Sequence, residues 1–162
     1  MNLRLSSRAL LAAAGLACAT SVGLALLAQH QFNMQPCPWC ILQRLVFVVL
    51  AGLCLLGAVL PAQPRRLVAA LALPLAAGGM AAALWQHFVA AKTSSCAMTL
   101  ADRIVMATGL DTRFPEAFEV RATCADAAVS VFGVPFEFWA LALFAATGLV
   151  LVLNVLNPAR RA

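Results

Sequence analysis

Apolar residues gather in four long runs, at positions 9–28, 41–60, 67–89 and 136–156, with polar stretches between them. Runs of 18 or more mostly apolar residues are candidate membrane helices, because about 20 helical residues rising 1.5 Å each cover a hydrocarbon core about 30 Å thick. The pattern predicts an all-α integral membrane protein, a single membrane domain over 1–162 folded as a four-transmembrane-helix bundle. Two loops face one side, a short one at about 29–40 and a long one at about 90–135. Within the long loop, Leu100, Ile104, Val105 and Ala107 stand beside Asp102 and Arg103, a spacing that predicts a short amphipathic helix over 98–108 lying at the membrane interface. Phe114, Phe118 and Val120 add a second apolar patch.

The links sharpen the boundaries. Pro61 and Pro64 stop one helix and restart the next in a tight turn. Pro74 predicts a local bend in the third span, and Gly78–Gly79 a close approach by a neighbour. The first run is too long for the apolar core of a cleaved signal peptide, so it reads as a retained helix. Leu16-Ala17-Cys18 matches a lipoprotein cleavage site poorly, because Gly15 stands where a larger aliphatic residue is usual. Cys18 and Cys54 read as small apolar residues packed between helices.

Composition agrees with this picture. The chain is 64% hydrophobic and 10% charged, with a mean hydropathy of +0.93, which excludes an ordinary water-soluble domain. The net charge of +5 is distributed by side rather than along a nucleic-acid-binding face. Arg4 and Arg8, Arg65 and Arg66, and Arg160 and Arg161 fall on one side of the four crossings, which the positive-inside rule makes the cytoplasm. All the acidic residues lie between Asp102 and Glu137, in or beside the long loop opposite.

The candidate chemistry is in Pro36-Cys37-Pro38-Trp39-Cys40-Ile41-Leu42-Gln43-Arg44. Pro38 has the fixed φ and missing donor that suit a first helical turn, so a helix beginning there places Cys37 at the cap and Cys40 in the first turn. The helix dipole, a Cys-x-x-Cys spacing and the cation of Arg44 one turn along all favour a thiolate at Cys40. Trp39 suits an interfacial anchor with its ring buried and its N–H wet. Cys96 and Cys124 lie on the same side in the long loop, where disulfides persist.

Three chemistries use such a set. Structural bridges are one, although a bridge across two residues closes very little chain. A four-thiolate zinc site is another, although one pair alone has chelating spacing. The third is an electron relay in which the loop pair exchanges with an outside protein and passes electrons to the pair at the membrane rim. The acceptor would be a quinone, with Arg44 the cation that meets its oxygen.

Gln29-His30 before the first pair, Pro-Cys-x-x-Cys, Arg44, Gln86-His87 at the end of the third span and a cysteine pair in the long loop together resemble the DsbB family of bacterial disulfide-forming membrane proteins. The resemblance implies that Cys96 forms a mixed disulfide with a DsbA-type periplasmic thioredoxin-fold oxidase. It implies that Cys124 is released to attack Cys37, that Cys40 faces a bound quinone (ubiquinone or menaquinone) as a thiolate, and that Arg44 and His87 bind that quinone. It also implies a bacterial inner membrane with both termini cytoplasmic and the cysteine loops periplasmic. Gln43 departs from the pattern, standing where an acidic residue can precede the arginine, and so does Val129, standing where an aromatic can follow the second loop cysteine. A DsbA-type protein has a potential of about −120 mV, so its reoxidation needs a strong acceptor such as a respiratory quinone. Two alternatives remain, a membrane reductase of the vitamin K epoxide reductase kind and a scaffold with structural disulfides.

Overall fold

The computed structural model describes residues 6–92 and 98–156. Four helices are long and apolar enough to cross a membrane: α1 (Ser7–Gln31), α2 (Pro38–Val59), α3 (Ala62–Phe88) and α7 (Phe136–Leu156). They make a multi-pass membrane bundle. α1 packs on α2, α2 on α3 and α3 on α7, and a looser α7–α1 seam closes the ring.

Small residues let the helices approach. Ala69, Ala72 and Ala76 of α3 are buried against Phe47, Leu50 and Cys54 of α2 and Phe144 of α7. The rings of Phe47 and Phe144 stack with centroids 3.9 Å apart. Gly79 makes room for that stack, since a Cβ there would meet the Phe144 ring at 2.4 Å. Interfaces of this kind gain from close packing, because lipid tails leave no hydrophobic drive between helices. Cys18 and Cys54 are both buried in this core, and the Cys18 thiol lies 3.5 Å from the Thr147 hydroxyl. Outward-facing residues such as Leu24, Leu71, Leu149 and Leu153 are apolar and exposed, the reverse of a soluble bundle.

The helices are longer than the apolar runs at several ends. α1 continues through Gln29 and His30, so these belong to a helical turn rather than to a loop. α3 starts at Ala62, immediately after Pro61, with Pro64 in its first turn, where the missing donor costs nothing. It continues as helix through Pro74.

The long loop is ordered by local signals. α4 (Leu100–Thr108) opens on a capping box: Asp102 N–H donates to Thr99 Oγ1, and Thr99 N–H donates to Asp102 Oδ2. Gly109, at φ 63°, ends it. Ala101 and Val105 are buried, while Leu100, Ile104 and Met106 are exposed. Short turns α5 (Leu110–Arg113) and α6 (Pro115–Phe118) follow. A feature unmarked by the apolar pattern is a hairpin pairing β1 (Ser130–Val131) with β2 (Val134–Pro135). Its tip residues Phe132 and Gly133 have φ of 53° and 77°, the positive pair a type I′ turn demands. Trp139 Nε1 donates to the Val131 carbonyl and ties the hairpin to α7.

Candidate thiol site

Cys37 is the N-cap of α2, in extended conformation, with Pro38 at the first helical position. Its sulfur accepts the Cys40 backbone N–H at 3.4 Å and lies 2.8 Å from the Cys40 sulfur. The loop brings a third sulfur to the same helix end. Backbone N–H groups of Arg121 and Ala122 donate to the Pro36 carbonyl at 3.1 and 3.3 Å, which docks the segment carrying Cys124 beside Cys37. Cys37, Trp39 and Cys124 are buried together with Ala101 of α4 and Ala82 of α3.

Among the described residues, the two sulfurs outside the membrane helices, those of Cys37 and Cys124, differ in proton affinity. A hydrogen bond with Cys124, and then one with Cys40, pushes the Cys37 thiol far above the ordinary range. The Cys124 thiol is held below its usual value, chiefly because it accepts that bond from Cys37, with the Trp39 backbone N–H adding to the effect. Cys37 is therefore the proton donor and Cys124 the thiolate-like partner, resting on the free N–H groups of α2.

Cys40 faces the other way. It lines a cavity of about 820 Å³ between α1 and α7, floored by α2 and covered by the hairpin, a volume within the usual range of small-molecule sites. The wall is apolar, with Phe47, Phe136 and Trp139 among its residues, and the polar side is made by Gln43, Arg44 and Gln86. Arg44, only 6% exposed, donates through Nη1 to Gln29 Oε1 at 3.0 Å and to the Ala117 carbonyl. Gln29 Nε2 in turn donates to the Glu116 carbonyl. Arg44 Nε is buried without a partner. An apolar, aromatic-walled cavity with the Arg44 cation and the Cys40 sulfur on its polar side fits the head group of a quinone, whose carbonyl oxygens accept hydrogen bonds.

The structure thus brings together Cys37, Cys40, Cys124 and Arg44. Cys96 lies outside the described residues. His87 does not line the cavity: its Nδ1 donates to Glu137 Oε1 across 2.6 Å, and its ring meets Phe88 and Phe138. The Trp39 ring is buried as expected of it, but its Nε1 is buried without a partner rather than wet. Motif reading named Gln29, Gln43 and Gln86 but gave them no role in the site, and all three are buried. The signal for them was their type, since uncharged polar side chains within apolar helices face the bundle interior or a cavity.

A four-helix membrane bundle with cysteines from one helix end and one loop gathered beside an apolar cavity defines a membrane protein equipped for thiol–disulfide chemistry. The sequence profile described as "Disulfide bond formation protein DsbB" matches residues 7–154. This chain belongs to the DsbB family of disulfide bond formation proteins. It is 33% identical over 151 residues to disulfide bond formation protein B 1 of Pseudomonas syringae pv. syringae, covering 91% of this chain and 88% of that relative. It is 30% identical over 157 residues to disulfide bond formation protein B of Herminiimonas arsenicoxydans, covering 96% and 97%.

Proposed function

We propose that this protein reoxidises a DsbA-type thiol oxidase on the side of the membrane that carries the cysteine loops, passing two electrons to a membrane quinone. The observation that carries the reading is the position of Cys37, in contact with Cys124 on one side and with Cys40 on the other, while Cys40 and Arg44 line the cavity. The arginine distribution supports a periplasmic position for these loops and cytoplasmic termini, in a bacterial inner membrane.

Starting from Cys96–Cys124 and Cys37–Cys40 disulfides, a thiolate of the reduced partner attacks Cys96, forming a mixed disulfide and releasing Cys124 as thiolate. Cys124 attacks Cys37, forming Cys37–Cys124 and releasing Cys40 as thiolate toward the cavity. The second partner thiolate attacks the partner's own sulfur in the mixed disulfide, so the partner leaves oxidised and Cys96 leaves as thiolate. Cys96 then attacks Cys124, restoring Cys96–Cys124 and freeing Cys37, so that the two electrons reside on the Cys37 and Cys40 dithiol. The Cys37–Cys40 disulfide reforms as the dithiol gives up two electrons and two protons, for which a quinone held in the cavity would supply the sink. Arg44 would hold the quinone oxygen, and its charge offsets the thiolate of Cys40. The Trp39 backbone N–H, which does not depend on a Cys37 thiol, favours Cys124 as an attacking thiolate, and the helix N-terminus suits Cys40 as a leaving group.

The test is purified full-length protein with a reduced DsbA-type partner and a short-tailed quinone. Quinone-dependent loss of partner thiols is expected. Cys96→Ser should abolish partner oxidation while the reduced Cys37/Cys40 pair still reduces quinone; no thiol loss from folded wild-type protein refutes the reading.

A further inference from the structure

Cys40 has a side-chain donor that neither the cysteine spacing nor Arg44 accounts for. From α3, Gln86 Nε2 donates to Cys40 Sγ at 3.3 Å. Its Oε1 accepts from Gln43 Nε2, on α2, at 2.7 Å. Both amides are 5% exposed and both line the cavity. A glutamine can turn either its NH₂ or its oxygen toward a neighbour. By engaging the oxygen, Gln43 selects the orientation that points the NH₂ at the sulfur.

The charged and titratable surroundings leave this role to an amide. Around Cys40 stand Cys37 at the start of the same helix, Arg44 one turn along it, and Cys124 from the loop. Asp102 of α4 acts on Cys124, Gln29 of α1 faces Arg44, and His87 of α3 is paired with Glu137 of α7 outside the cavity. From α3, the group that reaches the sulfur is Gln86. A donor in a buried site strengthens its bond as negative charge develops on the acceptor, and an amide does so without titrating.

We propose that Gln86 is a catalytic hydrogen-bond donor to the Cys40 thiolate and that Gln43 is the positioning residue that aims it. The pair stabilises the sulfur released when Cys124 attacks Cys37, and it adds to Arg44 without introducing a second charge into the cavity. This deepens the function proposed above and rests on Cys40 being released as a thiolate.

The test uses full-length protein in detergent with Cys40 as its sole cysteine, following alkylation of Cys40 against pH. Gln86→Met should raise the midpoint by about one pH unit or more, so that alkylation below the midpoint slows about tenfold. Gln43→Met should shift it in the same direction by less, and should add nothing in the Gln86→Met background. Gln86→Glu, nearly the same shape, replaces the donor with a carboxylate and should raise the midpoint at least as far; it carries the test if Gln86→Met does not fold. Unmoved midpoints in the folded Gln86 variants overturn the donor role, and additive Gln43 and Gln86 shifts overturn the positioning role. Neither quinone nor partner enters this measurement, so it is decided independently of whether wild-type protein reduces quinone.

Discussion

Arg44 makes two kinds of contact that a substitution can separate. Its Nη1 clips the long loop to the bundle through the Ala117 carbonyl and Gln29, whereas the residue also lines the cavity. A hydrogen bond to a charged donor is worth about 1.5–3 kcal/mol. If the guanidinium meets a quinone oxygen, Arg44→Met should lose about 2 kcal/mol of binding, raising the quinone KM roughly thirtyfold. The same change leaves the Ala117 carbonyl and Gln29 Oε1 without their donor, at about 1–3 kcal/mol of stability each if they remain dry. Gln29→Leu provides the control, because it removes the Gln29 part of the loop clip and keeps the guanidinium with its bond to the Ala117 carbonyl. Steady-state rates with saturating partner and varied short-tailed quinone give KM, and thermal unfolding in detergent gives stability. Gln29→Leu should lower the unfolding midpoint with KM unchanged; a KM rise equal to that of Arg44→Met would show that Arg44 acts only through the loop and refute the contact.

Further outcomes follow from other parts of the bundle. In the fully reduced protein Cys124 should remain a thiolate to lower pH than an ordinary cysteine and alkylate before Cys37. Because its folded proton affinity is depressed, its contribution to stability is complete above the ordinary thiol pKa and is lost as pH falls through the folded value. Cys37→Ala removes the main cause and should move the Cys124 alkylation midpoint upward; coincident midpoints for Cys37 and Cys124 in wild type contradict the assignment. Gly79→Ala should cost about 1–3 kcal/mol by overpacking against Phe144, whereas Gly78→Ala, where a Cβ meets nothing within 4 Å, should be neutral or slightly stabilising; equal unfolding midpoints for the two variants would exclude the clash. His87→Ala should lower the unfolding midpoint by leaving buried Glu137 unpaired while the quinone KM stays at the wild-type value, and a large KM increase in the folded variant would put His87 in the quinone site.

The bundle was legible because hydrocarbon imposes its length on every span, and the start of α2 because Pro38 and Cys37 are local signals that act without neighbours. Arg44 was legible for the same reason, lying one turn beyond Cys40. The glutamine contacts were not. Gln43 and Gln86 meet across a helix interface whose rotation is set by Ala69, Ala72 and Ala76 against Phe47 and Phe144, and apolar runs this uniform leave helix rotation unmarked. Phe132 at positive φ was hidden as well, since Gly133 announces a turn but the type I′ geometry comes from the pairing of its flanks. His87 follows Gln86 directly, and a helix turns adjacent residues to different faces, so Gln86 lines the cavity while His87 meets α7.

The loose seam between α1 and α7 has a consequence for traffic. Leu24, Phe32, Phe132 and Trp139 border the cavity there, and each is apolar and exposed. With apolar, exposed residues at its border, the cavity suits a greasy molecule that puts its head inside while its chain stays among lipid tails. Supply of such a molecule then depends on diffusion in the plane of the membrane, and in the function proposed above the quinone and the thiol partner would arrive from separate phases without competing for one entrance.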